Sequence, residues 1–421
     1  MAVVRDLRVL LRLRGFRRLL AVRLFSQGAD GVYQVALAAY VVFSPEHQAS
    51  AAAVASAMAV LLLPYSLIGP FAGVLLDRWR RRQVFLYGNL VRAALAAATA
   101  ALIAAGAATW LFYVSALCVT AVNRFVLSGL SAALPRVVDA ERLVMANALS
   151  PTAGSLAAFG GGGLAFVTRL AGADSDTAVI LLGAALYLCA ALASLLMAQD
   201  LLGPDHRARR PRLGAALTGT ARALLAGVRH LGAPSRRPAA RALAAMTLMR
   251  FCYGALTVMV LMLCRYGLAS DPDDGLRLLG LALGASGAGF FAAAVLTPWA
   301  TGALGGPARW IAVCAGSAAV LEPALGLPFA TGPLLPAAFV LGLTTQGAKI
   351  ATDTVVQSRV EDGFRGRIFS VYDVLFNVAF VGAAAVAAVM LPPDGRSVTL
   401  VITIAVIYGA VAVAMTRFDR R

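Results

Sequence analysis

The chain has 421 residues, 60% of them hydrophobic and 14% charged, with a formal net charge of +17 and a mean hydropathy of +0.80. Soluble domains run about 25% charged and about 45–50% apolar, and one core cannot hide the surplus, so a soluble globular protein is excluded and the bilayer is the solvent. The charge is not a nucleic-acid footprint either, because nearly all of it is arginine, with Lys349 the lone lysine, clustered in short gaps between apolar runs.

The N-terminus opens on a long basic run, Arg5 to Arg18, and the apolar stretch after it is interrupted by Arg23 and by Gln27 to Asp30. That pattern is unlike a cleaved signal peptide, so Met1 is expected on the mature chain. A helix needs about 20 mostly apolar residues to cross the hydrocarbon. In chain order, spans are expected near 19–43, 50–76, 84–105, 110–134, 145–170, 177–198, 241–266, 276–302, 309–329, 334–355, 368–391 and 397–416, twelve in all. Turn-forming clusters separate them, among them Ser44-Pro45-Glu46, Asp77 to Gln83, Ala173 to Asp176, Ser270 to Asp274, Gly305-Gly306-Pro307 and Pro392 to Gly395. Prolines 323, 328, 333 and 336 blur the boundary between the ninth and tenth.

Alternate separators, beginning with residues 1–18, hold 28 of the 37 basic residues, whereas the others hold Arg396 alone. The positive-inside rule then places both termini in the cytoplasm. The longest gap divides the chain into an N-terminal half, 1–198, a cytoplasmic linker, 199–240, and a C-terminal half, 241–421. In the linker, Leu213, Leu217, Leu224, Val228 and Leu231 recur at helical spacing against Arg222 and Arg229. An amphipathic helix on the inner membrane face is expected, in contact with anionic inner-leaflet lipids. The fold class is thus an all-α polytopic membrane protein of twelve transmembrane helices in two six-helix halves.

Catalytic and cofactor chemistry lacks support. Cys118, Cys189, Cys252, Cys264 and Cys314 sit singly in apolar runs, read as small buried residues without a metal or disulfide pattern. His47, His206 and His230 all fall in separators, no Gly-x-x-x-x-Gly-Lys-Ser/Thr loop exists, and no triad or metal-ligand cluster is present. The chain is therefore expected not to be an enzyme and to need no cofactor or metal.

The strongest motif is Gly73-Val-Leu-Leu-Asp77-Arg78-Trp79-Arg80-Arg81-Arg82, in the expected inner loop between the second and third spans. It resembles the Gly-x-x-x-Asp-Arg-x-Gly-Arg-Arg loop of the major facilitator superfamily, with Arg80 where the family has its loop glycine. Further stretches resemble that superfamily, especially its enterobactin-exporter-like and macrolide-exporter-like branch. These are Gly28-Ala29-Asp30-Gly31, Leu134-Pro135-Arg136-Val137-Val138 with Ala146-Asn147-Ala148-Leu149, and Arg359-Val360-Glu361-Asp362 leading into Arg365-Gly366-Arg367. The resemblance implies an inner gate of Gly73, Asp77, Arg78, Arg81 and Arg82 facing Arg365 and Arg367. Two departures stand out: Arg124 is followed by Gly129 rather than by the exporters' fourth-helix spacing, and Gly160 to Gly163 lack the proline of the antiporter signature.

A charge at mid-span costs about 2.5–3.5 kcal/mol on insertion scales. Asp30 and Arg124 lie near the middle of the first and fourth spans, and the superfamily fold would turn both toward the pathway with Tyr33, Gln34 and Asn123. Two readings stand: Asp30 as protonatable carboxylate with Arg124 as its counter-charge, or a permanent ion bridge between two helices. Arg250, with Tyr253 one turn on in the seventh span, either attracts a polar or anionic substrate group or snorkels to the inner surface, and Glu322 is a candidate for a second proton site. Lys349 and Asp353, four residues apart, are expected to neutralise one another, with Asp373 an intramembrane acid near Arg367 and Arg92 a packing or inner-cavity residue.

The function expected is secondary transport by alternating access, as proton-coupled efflux of a hydrophobic or amphipathic small molecule, with the proton gradient as energy source. Spans poor in Asn, Gln and Trp favour a greasy substrate over a sugar. Lipid flipping on the same fold, or a non-transporting membrane partner or sensor docking through the linker, are the alternatives. A monomer in the bacterial inner membrane is expected, with no nucleic-acid partner.

Overall fold

Where the solvent offers no hydrogen bonds, each backbone N–H and C=O must be satisfied within its own segment, and long apolar runs take the α-helix. The computed structural model describes residues 9–43, 71, 79–106, 109–139, 143–170, 176–199, 201–202 and 213–419, and every regular element among them is helical. The main helices are α1 (Arg14–Phe43), α2 (Arg81–Ala104), α3 (Thr109–Ala133), α4 (Leu143–Leu170), α5 (Asp176–Leu195), α6 (Leu213–Leu231), α7 (Arg237–Met262), α8 (Pro272–Ala303), α9 (Pro307–Gly326), α10 (Thr331–Arg359), α11 (Asp362–Met390) and α12 (Val398–Asp419). Apart from the linker helix α6, each coincides with an expected span. The expected second span, 50–76, lies outside the described residues except for Phe71. Nine described helices are long and apolar enough to cross a membrane.

Several helices run past the expected apolar limits. The first starts at Arg14, the tenth fills Thr331–Arg359 and the eleventh starts at Asp362, because polar side chains end the contact with hydrocarbon without ending the helix. Pro333 falls in the first turn of α10, where a backbone N–H has no intrahelical partner. The start of α8 is capped: Asp271 accepts from the backbone N–H of Asp274 at 2.8 Å, Pro272 opens the helix, and Asp273 and Asp274 lie in its positive first turn.

Glycine sets two helix crossings. A Cβ on Gly31 of α1 would stand 1.9 Å from the Ala158 carbonyl oxygen of α4, and one on Gly161 would stand 2.0 Å from that of Gly28. The backbones therefore touch, as small residues permit between membrane helices. Gly342 and Gly289 play the same part between α10 and α8, at 2.1 Å from Ser286 and 2.2 Å from Phe339.

The described residues fall into two compact units, the first of residues 9–40 and those from 71 up to Thr220, the second of residues 41–43 and those from Ala221 on. In the first, α2 packs against α3 and α5; in the second, α9 packs against α10 and α12, and α7 against α11. Large apolar side chains such as Val295, Trp299, Val389 and Val406 point outward, the reverse of a soluble protein and the arrangement lipid requires. Cys118 and Cys189 are exposed as well, contrary to the expectation that all five cysteines are buried; Cys252, Cys264 and Cys314 are buried.

Candidate functional site

In the first unit, Arg92 of α2 is wholly buried. One of its terminal nitrogens donates to Asp30 Oδ1 at 2.8 Å and to Asn123 Oδ1 at 2.9 Å, and the other donates to Ser26 and Asn89. Tyr187 of α5 donates its hydroxyl to the same Asp30 oxygen at 2.7 Å, and its ring lies 4.4 Å from the guanidinium carbon of Arg92. Four helices, α1, α2, α3 and α5, thus meet on one charge-balanced cluster. A buried ion pair is tolerable when its remaining donors and acceptors are also satisfied; here Asn89, Asn123 and Ser26 serve the terminal nitrogens of Arg92 and Tyr187 serves Asp30, while Arg92 Nε has no hydrogen-bond partner.

The expected partner of Asp30 was Arg124. The structure corrects this: Arg92 and Tyr187 hold Asp30, while Arg124, half-buried beside Asn123, does not. Arg92, expected as a packing or inner-cavity residue of the third span, is instead the ion-pair partner. Its partner Asn89, one turn earlier, was the available signal. Tyr33 is buried one turn from Asp30 with its hydroxyl 3.3 Å from that of Thr99, which in turn meets Ser115 at 2.7 Å. Gln34 is exposed and does not join the cluster.

Of the expected inner gate, Gly73, Asp77 and Arg78 lie outside the described residues, as does the Arg365 side chain. Arg81 donates to the Leu202 carbonyl at 3.0 Å and Arg82 to that of Leu195 at 3.4 Å. These bonds satisfy carbonyls at and beyond the end of α5, where cations complement the helix dipole. Arg367 lies over the Phe364 ring at 4.9 Å.

In the second unit, the Arg250 guanidinium carbon lies 4.9, 4.2 and 4.4 Å from the rings of Tyr253, Phe376 and Phe380. The charge is stabilised by three π faces. Tyr253 extends the aromatic cluster, with ring centroids 6.2 Å from Phe290 and 6.0 Å from Phe380. Lys349 and Asp353 are joined at 2.9 Å on one face of α10, with the Lys349 ammonium 5.9 Å from the Tyr372 ring. Asp373 is exposed, and its backbone carbonyl accepts from Asn377 at 2.8 Å. Glu322 of α9 is buried, and its Oε1 has no hydrogen-bond partner. Among the described residues, no three His, Cys, Asp or Glu side chains converge as metal ligands would.

Residues 19–384 match the family model of the Major Facilitator Superfamily. The chain is 36% identical over 413 residues, 96% of its own length and 91% of theirs, to an uncharacterized MFS-type transporter of Mycobacterium bovis and to one of Mycobacterium tuberculosis. Among solved structures it resembles the peptide transporter POT in complex with sulfate, at TM-score 0.71 and 14% identity over 97% of this chain and 94% of that one. It also resembles the nucleoside transporter NupG, at TM-score 0.68 and 14% identity over 96% and 98%. At such identities the likeness to solved structures is one of fold. The chain is a multi-pass membrane transporter and belongs to the Major Facilitator Superfamily.

Proposed function

We propose that the protein is a secondary active transporter of the bacterial inner membrane that exports a hydrophobic or amphipathic small molecule by alternating access, driven by proton influx. The enterobactin-exporter-like and macrolide-exporter-like resemblance supports export. The observation that carries proton coupling is the buried carboxyl of Glu322, whose Oε1 has no hydrogen-bond partner. Such groups at membrane depth are expensive to keep and mark ion or proton pathways. Apolar spans and the aromatic surroundings of Arg250 favour a greasy or aromatic substrate over a polyhydroxylated one.

The linker helix α6 supports contact with the cytoplasmic leaflet. Arg222 and Arg229 are exposed together with Leu225 and Val228, a pairing suited to anionic headgroups above acyl chains. In this reading both termini are cytoplasmic, the protein acts as a monomer, and it needs no cofactor.

The test is reconstitution of the full chain into vesicles with an imposed pH gradient, using ethidium, rhodamine and a fluorescent lysophospholipid as probes. Proton-driven accumulation of either dye supports the reading. Movement of the lysophospholipid alone would move the assignment to lipid flipping, and flux driven by a sodium gradient at equal pH would overturn proton coupling.

A further inference from the structure

The two halves repeat one four-helix core with different contents. Asn123 and Thr345 stand equally far from the first residues of α3 and α10, Thr109 and Thr331. Asp30 and Tyr253 correspond in the same way along α1 and α7, and Tyr187 and Tyr408 fall within one place of each other along α5 and α12. On the remaining helix, Glu322 of α9 stands one turn beyond the position that matches Arg92 of α2. The first half places an arginine there and pairs it with an aspartate. The second half places a carboxyl.

The surroundings of that carboxyl are polar but uncharged. The Tyr408 hydroxyl faces Thr345 and lies within electrostatic reach of Glu322, Cys252 and Tyr253. Glu322 is 5% exposed, Thr345 2% and Tyr408 0%; the Tyr408 hydroxyl meets Thr345, while Glu322 Oε1 lacks a hydrogen-bond partner. Of these groups the Tyr408 phenol of α12 is the one placed within reach of Glu322, while Thr345, Cys252 and Tyr253 surround that phenol, and among the described residues no cation stands against the carboxyl. Buried polar atoms are nearly always satisfied, so a buried carboxyl oxygen without a partner, beside a phenol and with no cation against it, marks a place where something binds. Calcium takes about 6–8 oxygen ligands and magnesium an octahedral set, more than this carboxyl and its neighbouring phenol supply; a proton requires one.

We infer that Glu322, beside Tyr408, is the proton-carrying site, and that the Asp30–Arg92 cluster is a fixed brace which keeps its charges throughout the cycle. The inference rests on the proton-coupled reading above and assigns the coupling carboxyl to the C-terminal half. Proton uptake makes the carboxyl a donor to the Tyr408 oxygen. Release leaves a carboxylate that accepts from Tyr408.

The chain has four glutamates, Glu46, Glu141, Glu322 and Glu361, and only Glu322 falls inside an expected span, which makes isotope labelling nearly site-specific. Infrared difference spectra of the full chain in lipid nanodiscs, between mildly acidic and alkaline buffer, should show a protonated-carboxyl band. Carbon-13 glutamate should shift it and carbon-13 aspartate should not. Glu322→Gln should abolish it, Tyr408→Phe should displace its midpoint, and Asp30→Asn should leave it in place. A band that follows the aspartate label or survives Glu322→Gln overturns the assignment, and the labelling result stands even if a variant fails to fold. In vesicles, pH-driven dye flux unchanged by Glu322→Gln overturns the site but spares proton coupling. A titrating Glu322 band without pH-driven flux of any probe overturns the coupling reading instead.

Discussion

Tyr187 donates its hydroxyl to the same Asp30 oxygen that accepts from Arg92, at 2.7 and 2.8 Å. One carboxylate oxygen thus ties α1 to both α2 and α5, and the Tyr187 ring covers the guanidinium on its other side. Charge-assisted bonds of this kind are about twice as strong as neutral ones, and the site is buried, so water compensates poorly for a lost partner.

Removing either charge should therefore damage the fold more than the function. Arg92→Met or Asp30→Asn should each destabilise the first half by about 3–5 kcal/mol, because each leaves an uncompensated polar or charged group behind. The double variant should recover part of that loss, with a coupling of about 1–3 kcal/mol. Thermal unfolding of detergent-purified protein measures it, with Arg124→Ala as the comparison. A loss for Arg124→Ala equal to that for Arg92→Met would contradict the assignment of the pair.

The four consecutive glycines of α4 should behave unequally. Gly161→Ala places a methyl about where the Gly28 carbonyl oxygen already sits, so α1 and α4 must separate and the yield of folded protein should collapse. Gly160 and Gly163 meet nothing within 4 Å. Alanine at either should be tolerated and should stabilise the helix by roughly 0.5–1 kcal/mol. Fluorescence-detected size-exclusion profiles of the three variants would separate these outcomes.

The sequence carried the spans well because bilayer thickness imposes one length on every element, and turn clusters such as Ser270 to Asp274 mark ends by chemistry that does not depend on tertiary context. It also carried local pairs: Lys349 and Asp353 are four residues apart, and helix geometry alone brings them together. The partner of Asp30 was a different matter. Arg92 and Arg124 are both arginines well inside apolar runs, and only the rotation of α2 and α3 decides which one reaches α1. Tyr187, 157 positions away in sequence, gave no local sign of its role. The glycines at 160–163 were visible, but which two of them face α1 depends on a crossing that periodicity does not reveal.

Arg250 offers a test of π stabilisation. Its charge rests on Tyr253, Phe376 and Phe380, and a planar guanidinium stacks on rings as an ammonium does not. Arg250→Lys should therefore cost nearly as much stability as Arg250→Met, on the order of 1–2 kcal/mol. Phe376→Leu should reproduce about half of that loss without touching the charge. Urea or heat unfolding of the three variants checks the ranking, and full rescue by lysine would show that charge rather than stacking matters at this position.

The linker helix supplies a prediction about the membrane surface. His230 stacks on Phe364 at 3.8 Å with the rings 6° from parallel, and Gly227 lets α6 close onto Arg367 and Ile368 at the start of α11. The helix is thus anchored to α11 while Leu225 and Val228, 51% and 49% exposed, face away from the protein beside exposed Arg222 and Arg229. Each basic residue near an anionic surface is worth about 1 kcal/mol. A spin label at Val228→Cys should accordingly lie deeper in nanodiscs containing phosphatidylglycerol than in neutral ones, with the difference shrinking at high salt. Reversing both charges, Arg222→Glu with Arg229→Glu, should abolish the lipid dependence while the His230–Phe364 contact holds the helix in place. Equal depth in neutral and anionic bilayers would mean that the exposed face meets something other than anionic lipid.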